Sequence, residues 1–200
     1  MREKLTILFT AGAVVCAVSV FASTLVHASL YSPSGETTVE EPSAFGSVSV
    51  EDPGSPERLV VPSLGIDAAV QDVGRGKTGN MAVPTNYADV GWYRYGPRPG
   101  EVGSAVIDGH VDNGFALDAV FKHLGSLSPG DDIYVETKAG DRLHFVVEEV
   151  KTYAANEVPK DRLFLRADGA RLNLITCAGN WQQEDKSYDE RIVVYTRLVS

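Results

Sequence analysis

The chain has 200 residues, 44% of them hydrophobic and 22% charged. These figures suit one globular domain with appendages. The net charge of −9 lacks the basic footprint that nucleic-acid binding requires, so that class of function is excluded.

The N-terminus reads as an address. Met1-Arg2-Glu3-Lys4 carries two cations and is followed by Leu5 to Val26, 22 residues without a charge. A secretory apolar region is shorter, about 7–15 residues, whereas a membrane-spanning helix needs about 20. The length favours an uncleaved signal anchor, and the leading cations place the N-terminus in the cytoplasm. Val26-His27-Ala28 also resembles a cleavage site. Under either reading the remainder is exported.

Residues 31–57 contain Pro33, Pro42, Pro53 and Pro56 among many Ser, Gly, Thr and Glu residues. Six carboxylates lie here (Glu36, Glu40, Glu41, Glu51, Asp52, Glu57) without a Lys or Arg. Such a stretch buries too little surface to offset its ordering entropy, so it is expected to be a disordered linker. As a coil its ends would lie on the order of 30 Å apart. The expected organisation is 1–30 cytoplasmic start and membrane anchor, 31–57 acidic linker, and 58–200 a folded domain.

From Arg58 the texture becomes that of short strands. Arg58 to Pro62 and Ile66 to Val73 flank a turn at Ser63-Leu64-Gly65. The glycine-rich run Gly74 to Asn80 lacks the frame of a phosphate loop and reads as an ordinary loop. Met81 to Pro84 is extended, and Trp92 to Pro97 is aromatic and then turns. Ser104 to His110 is a strong apolar strand. Apolar residues at Phe115, Leu117, Val120, Phe121 and Leu124 approach helical spacing and predict one short helix. Ile133 to Glu136 and Leu143 to Val150 form a hairpin across Lys138-Ala139-Gly140-Asp141. Arg171 to Cys177 is a buried strand, Gly179 to Glu190 a polar loop, and Arg191 to Val199 a last strand. About eight short strands with one or two short helices make the fold mainly β, a closed or nearly closed barrel.

Cys16 falls in the apolar N-terminal stretch, so Cys177 is alone in the exported part. A cysteine without a disulfide partner in an oxidising compartment is either a reactive thiol or a small buried hydrophobe. The cysteine count leaves both open. A thiol nucleophile needs a proton acceptor or a cation nearby. Of four histidines, His110 alone ends a strongly apolar strand, just after a glycine. Arg191 opens the last strand, 14 residues after Cys177. That spacing lets it return beside the cysteine, where a guanidinium can stabilise an oxyanion. Arg191, Val193, Tyr195 and Arg197 share one face by alternation.

The ordered set Gly109-His110, Leu174-Ile175-Thr176-Cys177 and Arg191, behind an anchor and linker, resembles the sortases. Val90-Gly91-Trp92-Tyr93 and Gly103 through Asp112 look most like the class E and class F types of Gram-positive actinobacteria, class F being preferred. The resemblance covers residues 58–200. It implies an eight-stranded barrel and a cysteine transpeptidase that cuts a Leu-Pro-x-Thr-Gly-like sorting signal between Thr and Gly. Cys177 would form the thioacyl intermediate, His110 would serve as acid/base, Arg191 would hold substrate and oxyanion, and Thr176 would shape the cleft. The implied partners are surface proteins carrying the signal and a cell-wall or pilin amine. The domain would be extracytoplasmic, on a single-pass anchor, without cofactor or metal. Asp108 departs from the small residue that family members often carry before Gly-His. Two other readings are a different cell-envelope cysteine peptidase or transpeptidase, whose usual Ser-x-Gly-Cys context is missing, and a non-catalytic binding module with an inert Cys177.

Overall fold

The computed structural model describes residues 54–113 and 117–199. The expected membrane anchor and most of the acidic linker lie outside them. Eight strands close into one barrel, in the order β1-β2-β3-β4-β7-β8-β6-β5. The strands are β1 (Pro56–Val61), β2 (Ile66–Val73), β3 (Val90–Tyr93), β4 (Gly103–Gly109), β5 (Asp132–Thr137), β6 (Arg142–Ala154), β7 (Ala170–Gln182) and β8 (Ser187–Leu198). One short α-helix, α1 (Lys160–Phe164), lies between β6 and β7.

Alternation along the strands creates the core. Leu59 and Val61, Ile66 and Ala68, Val90 and Trp92, Ala105 and Ile107, Ile133 and Val135, and Leu172 and Leu174 all point inward at period two. Fully burying such a side chain is worth about 1.5–3 kcal/mol. The residues between them on β4, β7 and β8 face outward, and here the barrel has a second apolar layer. Val106, Val193 and Tyr195 pack with Leu163 of α1, flanked by Met81, Tyr93, Phe164 and Ile175. Strand β4 is therefore buried on both faces along its whole length. That explains its near-continuous apolar sequence.

Two pairings are parallel, β2 with β3 and β4 with β7. The second sets up the site. Parallel strands bring like ends to the same level, and chain-distant residues become neighbours. The ladder runs from Gly103↔Ala170 to Asp108↔Ile175. Two steps further along the same register lie His110 and Cys177.

The sequence-based elements need three corrections. The helix expected over Phe115 to Leu124 is not formed in its described part: residues 120–123 are turn, followed by a 3-10 turn at Leu124–Ser126. Backbone N–H groups there bond across the chain instead of along a helix. Ala119 N donates to Val111 O, Phe121 N to His110 O, and Val120 N to Tyr87 O. The apolar spacing instead seats Phe121 and Leu124 in the core. The polar loop expected over Gly179 to Glu190 is mostly strand, because β7 runs on to Gln182 and β8 starts at Ser187. And β1 begins at Pro56, inside the stretch that composition assigns to the linker, pairing there with Thr137.

Helix α1 is fastened from three directions. Asn173 Nδ2 donates to Leu163 O at 2.7 Å in a buried setting. Arg162 pairs with Glu149, and its guanidinium lies 3.6 Å from the centre of the Tyr195 ring. Asn173→Ala strips the buried Leu163 carbonyl of its donor. We expect a loss of about 1–3 kcal/mol in unfolding free energy, read by urea denaturation; an unchanged midpoint would show that the tether is not stabilising.

Candidate functional site

A groove of about 480 Å³ lies on the outer face of the β4–β7–β8 wall. Asp108, His110, Asp112, Ile175, Thr176, Cys177, Tyr188 and Arg191 line it, with Met81, Val83, Leu163 and Phe164 giving it an apolar flank. The structure brings together all four residues singled out from sequence. His110 stands just past the end of β4, as expected, whereas Cys177 lies within its strand, since β7 continues five residues beyond it.

Cys177 is a free, half-buried thiol. Arg191 is its register partner on β8. Just past Cys177 the ladder slips between Ala178 and Trp181. Gly179 makes that bulge possible: its φ is +79°, and a Cβ there would lie 2.1 Å from Asp189 Oδ1. Such bulges twist a strand locally and re-aim its side chains.

His110 follows the end of β4. A Cβ at Gly109 would sit 2.6 Å from the Phe121 ring, so only glycine lets the 119–121 strap close over this position. Thr176 is buried, and its hydroxyl donates to Gly109 O at 2.8 Å. It thus lines the groove and also ties β7 to the residue before His110. The imidazole Nε2 lies 3.0 Å from Pro84 O. A carbonyl only accepts, so Nε2 carries the proton and neutral His110 offers its Nδ1 lone pair. Tyr87 packs edge-on against the ring at 5.0 Å between centroids.

Burial dominates the electrostatics. It pushes the Cys177 thiol above its ordinary value; Arg191 draws it back, while Asp108 and Asp112 push it further up. Burial lowers the His110 imidazole, against the opposing pull of Pro84 O and the Asp112 carboxylate. Both shifts favour the uncharged pair, thiol and imidazole, at neutral pH.

The Arg191 guanidinium is committed on one side to its own hairpin. Nη1 donates to Tyr188 O at 2.8 Å and Glu190 O at 2.7 Å, and Nη2 to Ser187 Oγ at 2.9 Å. These bonds fix the orientation of its remaining donors.

Two features, at Tyr188 and Pro84, escaped the sequence reading, and a third residue, Asp108, was noted there without its surroundings. Tyr188 donates its hydroxyl to Asp112, joining the β7–β8 hairpin to the segment after β4. Its phenol is pushed up to about 12, by burial first and then by Asp112. Pro84 arrives from a loop 26 residues before His110, and no local pattern announces it. Asp108 is buried, with Oδ1 lacking a hydrogen bond. Its room comes from Gly91, its partner across the β3–β4 ladder, where a Cβ would fall 2.5 Å from Oδ1. Burial raises the Asp108 carboxyl well above the usual carboxylate range.

A family model for the sortase domain matches residues 59–199. The chain belongs to the sortase family. This sortase is therefore a cysteine transpeptidase. Solved structures of similar fold include the sortase D5 transpeptidase of Clostridium perfringens, 18% identical with a TM-score of 0.52, covering 73% of this chain and 79% of that one. Sortase C-1 of Actinomyces oris is 23% identical with a TM-score of 0.54, covering 72% of this chain and 71% of that one. A lid mutant of Streptococcus agalactiae sortase C1 is 19% identical with a TM-score of 0.54, covering 72% and 68%. At these identities the likeness is one of fold, and it matches the closed eight-stranded barrel. No curated protein matches the sequence significantly.

Two measurements test this electrostatic picture. Alkylation of Cys177 by iodoacetamide should be slow at pH 7, with a pH midpoint above the ordinary ~8.5 of a free thiol; a midpoint near 6 would show a resting thiolate. The second concerns Asp108. Unfolding releases its carboxyl to an ordinary value near pH 4, so above that pH the unfolded chain binds fewer protons and stability falls as pH rises. Asp108→Asn has no proton to lose. Its melting temperature relative to the unchanged protein should be higher at pH 7 than at about pH 4; a difference independent of pH contradicts the assignment.

Proposed function

We propose that this sortase cleaves a Leu-Pro-x-Thr-Gly-like sorting signal between Thr and Gly and joins the acyl part to an amine of the cell wall or of a pilin. The observation that carries the reading is the parallel β4–β7 register, which puts His110 level with Cys177 while β8 sets Arg191 directly across from it.

In this reading the Cys177 thiol gives its proton to His110 Nδ1 as sulfur attacks the Thr carbonyl carbon. Arg191 donors face the oxygen as it gains charge, where a positioned donor is worth about 2.7–4 kcal/mol. The protonated imidazole then passes its proton to the departing glycine nitrogen, and the C–N bond breaks. A thioester on Cys177 remains, and His110 is neutral again. A neutral resting pair suits this sequence, because the same imidazole must act first as base and then as acid. Thr176 takes part by holding the Gly109 carbonyl and so the level of His110. The apolar flank of Met81, Val83, Leu163, Phe164 and Ile175 suits the Leu-Pro side chains of the signal.

The class F assignment rests on the Val90 to Tyr93 and Gly103 to Asp112 stretches. The leading segment (1–30) serves as a single-pass membrane anchor and the acidic stretch before β1 as a linker, which puts the barrel outside the cell. The charge-free run of 22 residues supports that reading.

With a fluorogenic Leu-Pro-x-Thr-Gly peptide, Cys177→Ala should abolish cleavage with the far-UV CD unchanged. His110→Ala should lower kcat/KM by about 10²–10⁴. Mass spectrometry should find the acyl fragment on Cys177 of the unchanged protein. Robust cleavage by the folded Cys177→Ala protein would sink the proposal.

A further inference from the structure

The two sides of Cys177 along the groove are built differently. Strands β4 and β7 run the same way through the site. Before His110 and Cys177 come the buried Asp108 and, level with it, Ile175, then Val106 under Leu163 of α1. Beyond them come Asp112 and the hairpin residues Trp181 and Tyr188. Here the Tyr188 hydroxyl meets the Asp112 carboxylate across the groove. Trp181 packs edge-on against Tyr188 at 5.4 Å and is itself 49% exposed. Asp112 lines the same groove as Cys177 and His110, and its charge pushes both of their pKa values up.

The second half of the proposed reaction needs such a group. A terminal α-amine titrates near 8 and a lysine amine near 10.4, so the acceptor arrives largely as an ammonium ion. It must shed water and a proton before it can attack. An anion beside the thioester holds it, whereas a water molecule gains nothing comparable from that anion.

We propose that Asp112 and Tyr188 form the acceptor subsite of this sortase, where the Asp112 carboxylate exchanges the Tyr188 hydroxyl for the ammonium group of the incoming amine. This rests on the transpeptidase reading above and adds to it the place and chemical class of the second substrate. The ammonium loses one proton to solvent through the carboxylate. Its lone pair attacks the thioester carbonyl carbon, and His110 takes the second proton as the C–N bond forms. His110 returns that proton to Cys177 sulfur as the C–S bond breaks. The products are an amide, a neutral thiol and a neutral imidazole. In the empty groove the Tyr188 hydroxyl keeps the carboxylate hydrogen-bonded, so it competes with the amine.

The test uses the full-length protein in detergent, first acylated by sorting peptide and then given glycinamide (cationic) or hydroxylamine (uncharged at neutral pH). Failure of the unchanged protein to form a thioester, read by mass before any amine is added, overturns the transpeptidase reading itself. Given the thioester, Asp112→Asn should lower glycinamide transfer at least tenfold more than it lowers acylation, through a higher KM for glycinamide, and should affect hydroxylamine much less. Tyr188→Phe should act oppositely, lowering the glycinamide KM about threefold. Parallel losses in acylation and transfer, equal effects on the two acceptors, or a raised KM in Tyr188→Phe would each overturn the subsite.

Discussion

The parallel pairing of β4 with β7 is the constraint on which the site depends. These strands are separated by 60 residues of chain, 110–169, and no hairpin could align them. Parallel strands share their direction, so the residues leaving one end of β4 stand beside those at the same level of β7. His110 and Cys177 meet for that reason. The remaining features protect the alignment. The Thr176 hydroxyl clamps the Gly109 carbonyl, the bare Gly109 lets Phe121 close over the turn, and the 119–121 strap bonds back to Val111 and His110. Antiparallel β8 then contributes Arg191 from the other side of the cysteine.

The second layer of packing turns a barrel wall into a groove. A barrel needs apolar residues only on its inner face, yet β4, β7 and β8 carry them on both. The outer ones have to be covered, and α1 covers them through Leu163 and Phe164. That cover stops short of Cys177, leaving a half-buried thiol at the edge of an apolar layer. Low local polarity raises the thiol and lowers the imidazole, so both shifts favour the uncharged pair. Asp108 fits the same environment. With Gly91 making its space and no hydrogen bond to Oδ1, its carboxyl is pushed well above the usual carboxylate range by the same burial.

Strand positions were legible because burial on one face writes a period of two into the chain and burial on both faces a continuous apolar run; β5 and β6 were placed by their hairpin pattern, β4 and β7 as such runs. The cysteine and histidine stood out through address and strand position, and the Gly-His and Leu-x-Thr-Cys pieces pointed to the family. The helix expected near Phe121 failed because spacing records which residues are buried, not which backbone groups bond to each other. Those N–H groups found partners at His110, Val111 and Tyr87. The hairpin beyond Cys177 was missed because its residues are polar, and a two-stranded ribbon projecting from a barrel has no buried face to leave a pattern. Thr176 was read as shaping the cleft; its hydroxyl turns inward to a carbonyl 67 positions away in the chain.

By itself the sequence determined the barrel class, the isolated thiol, the histidine at a strand end and the arginine that returns beside the cysteine. Each of these is a local property, set by alternation, by residue chemistry or by counting. The tertiary structure alone decided that Pro84 O selects the histidine tautomer, that Asp108 is sealed against Gly91, and that Asp112 meets Tyr188 across the groove. Those contacts join segments far apart in the chain. Their energies depend on burial and distance, and neither quantity exists until the barrel has closed.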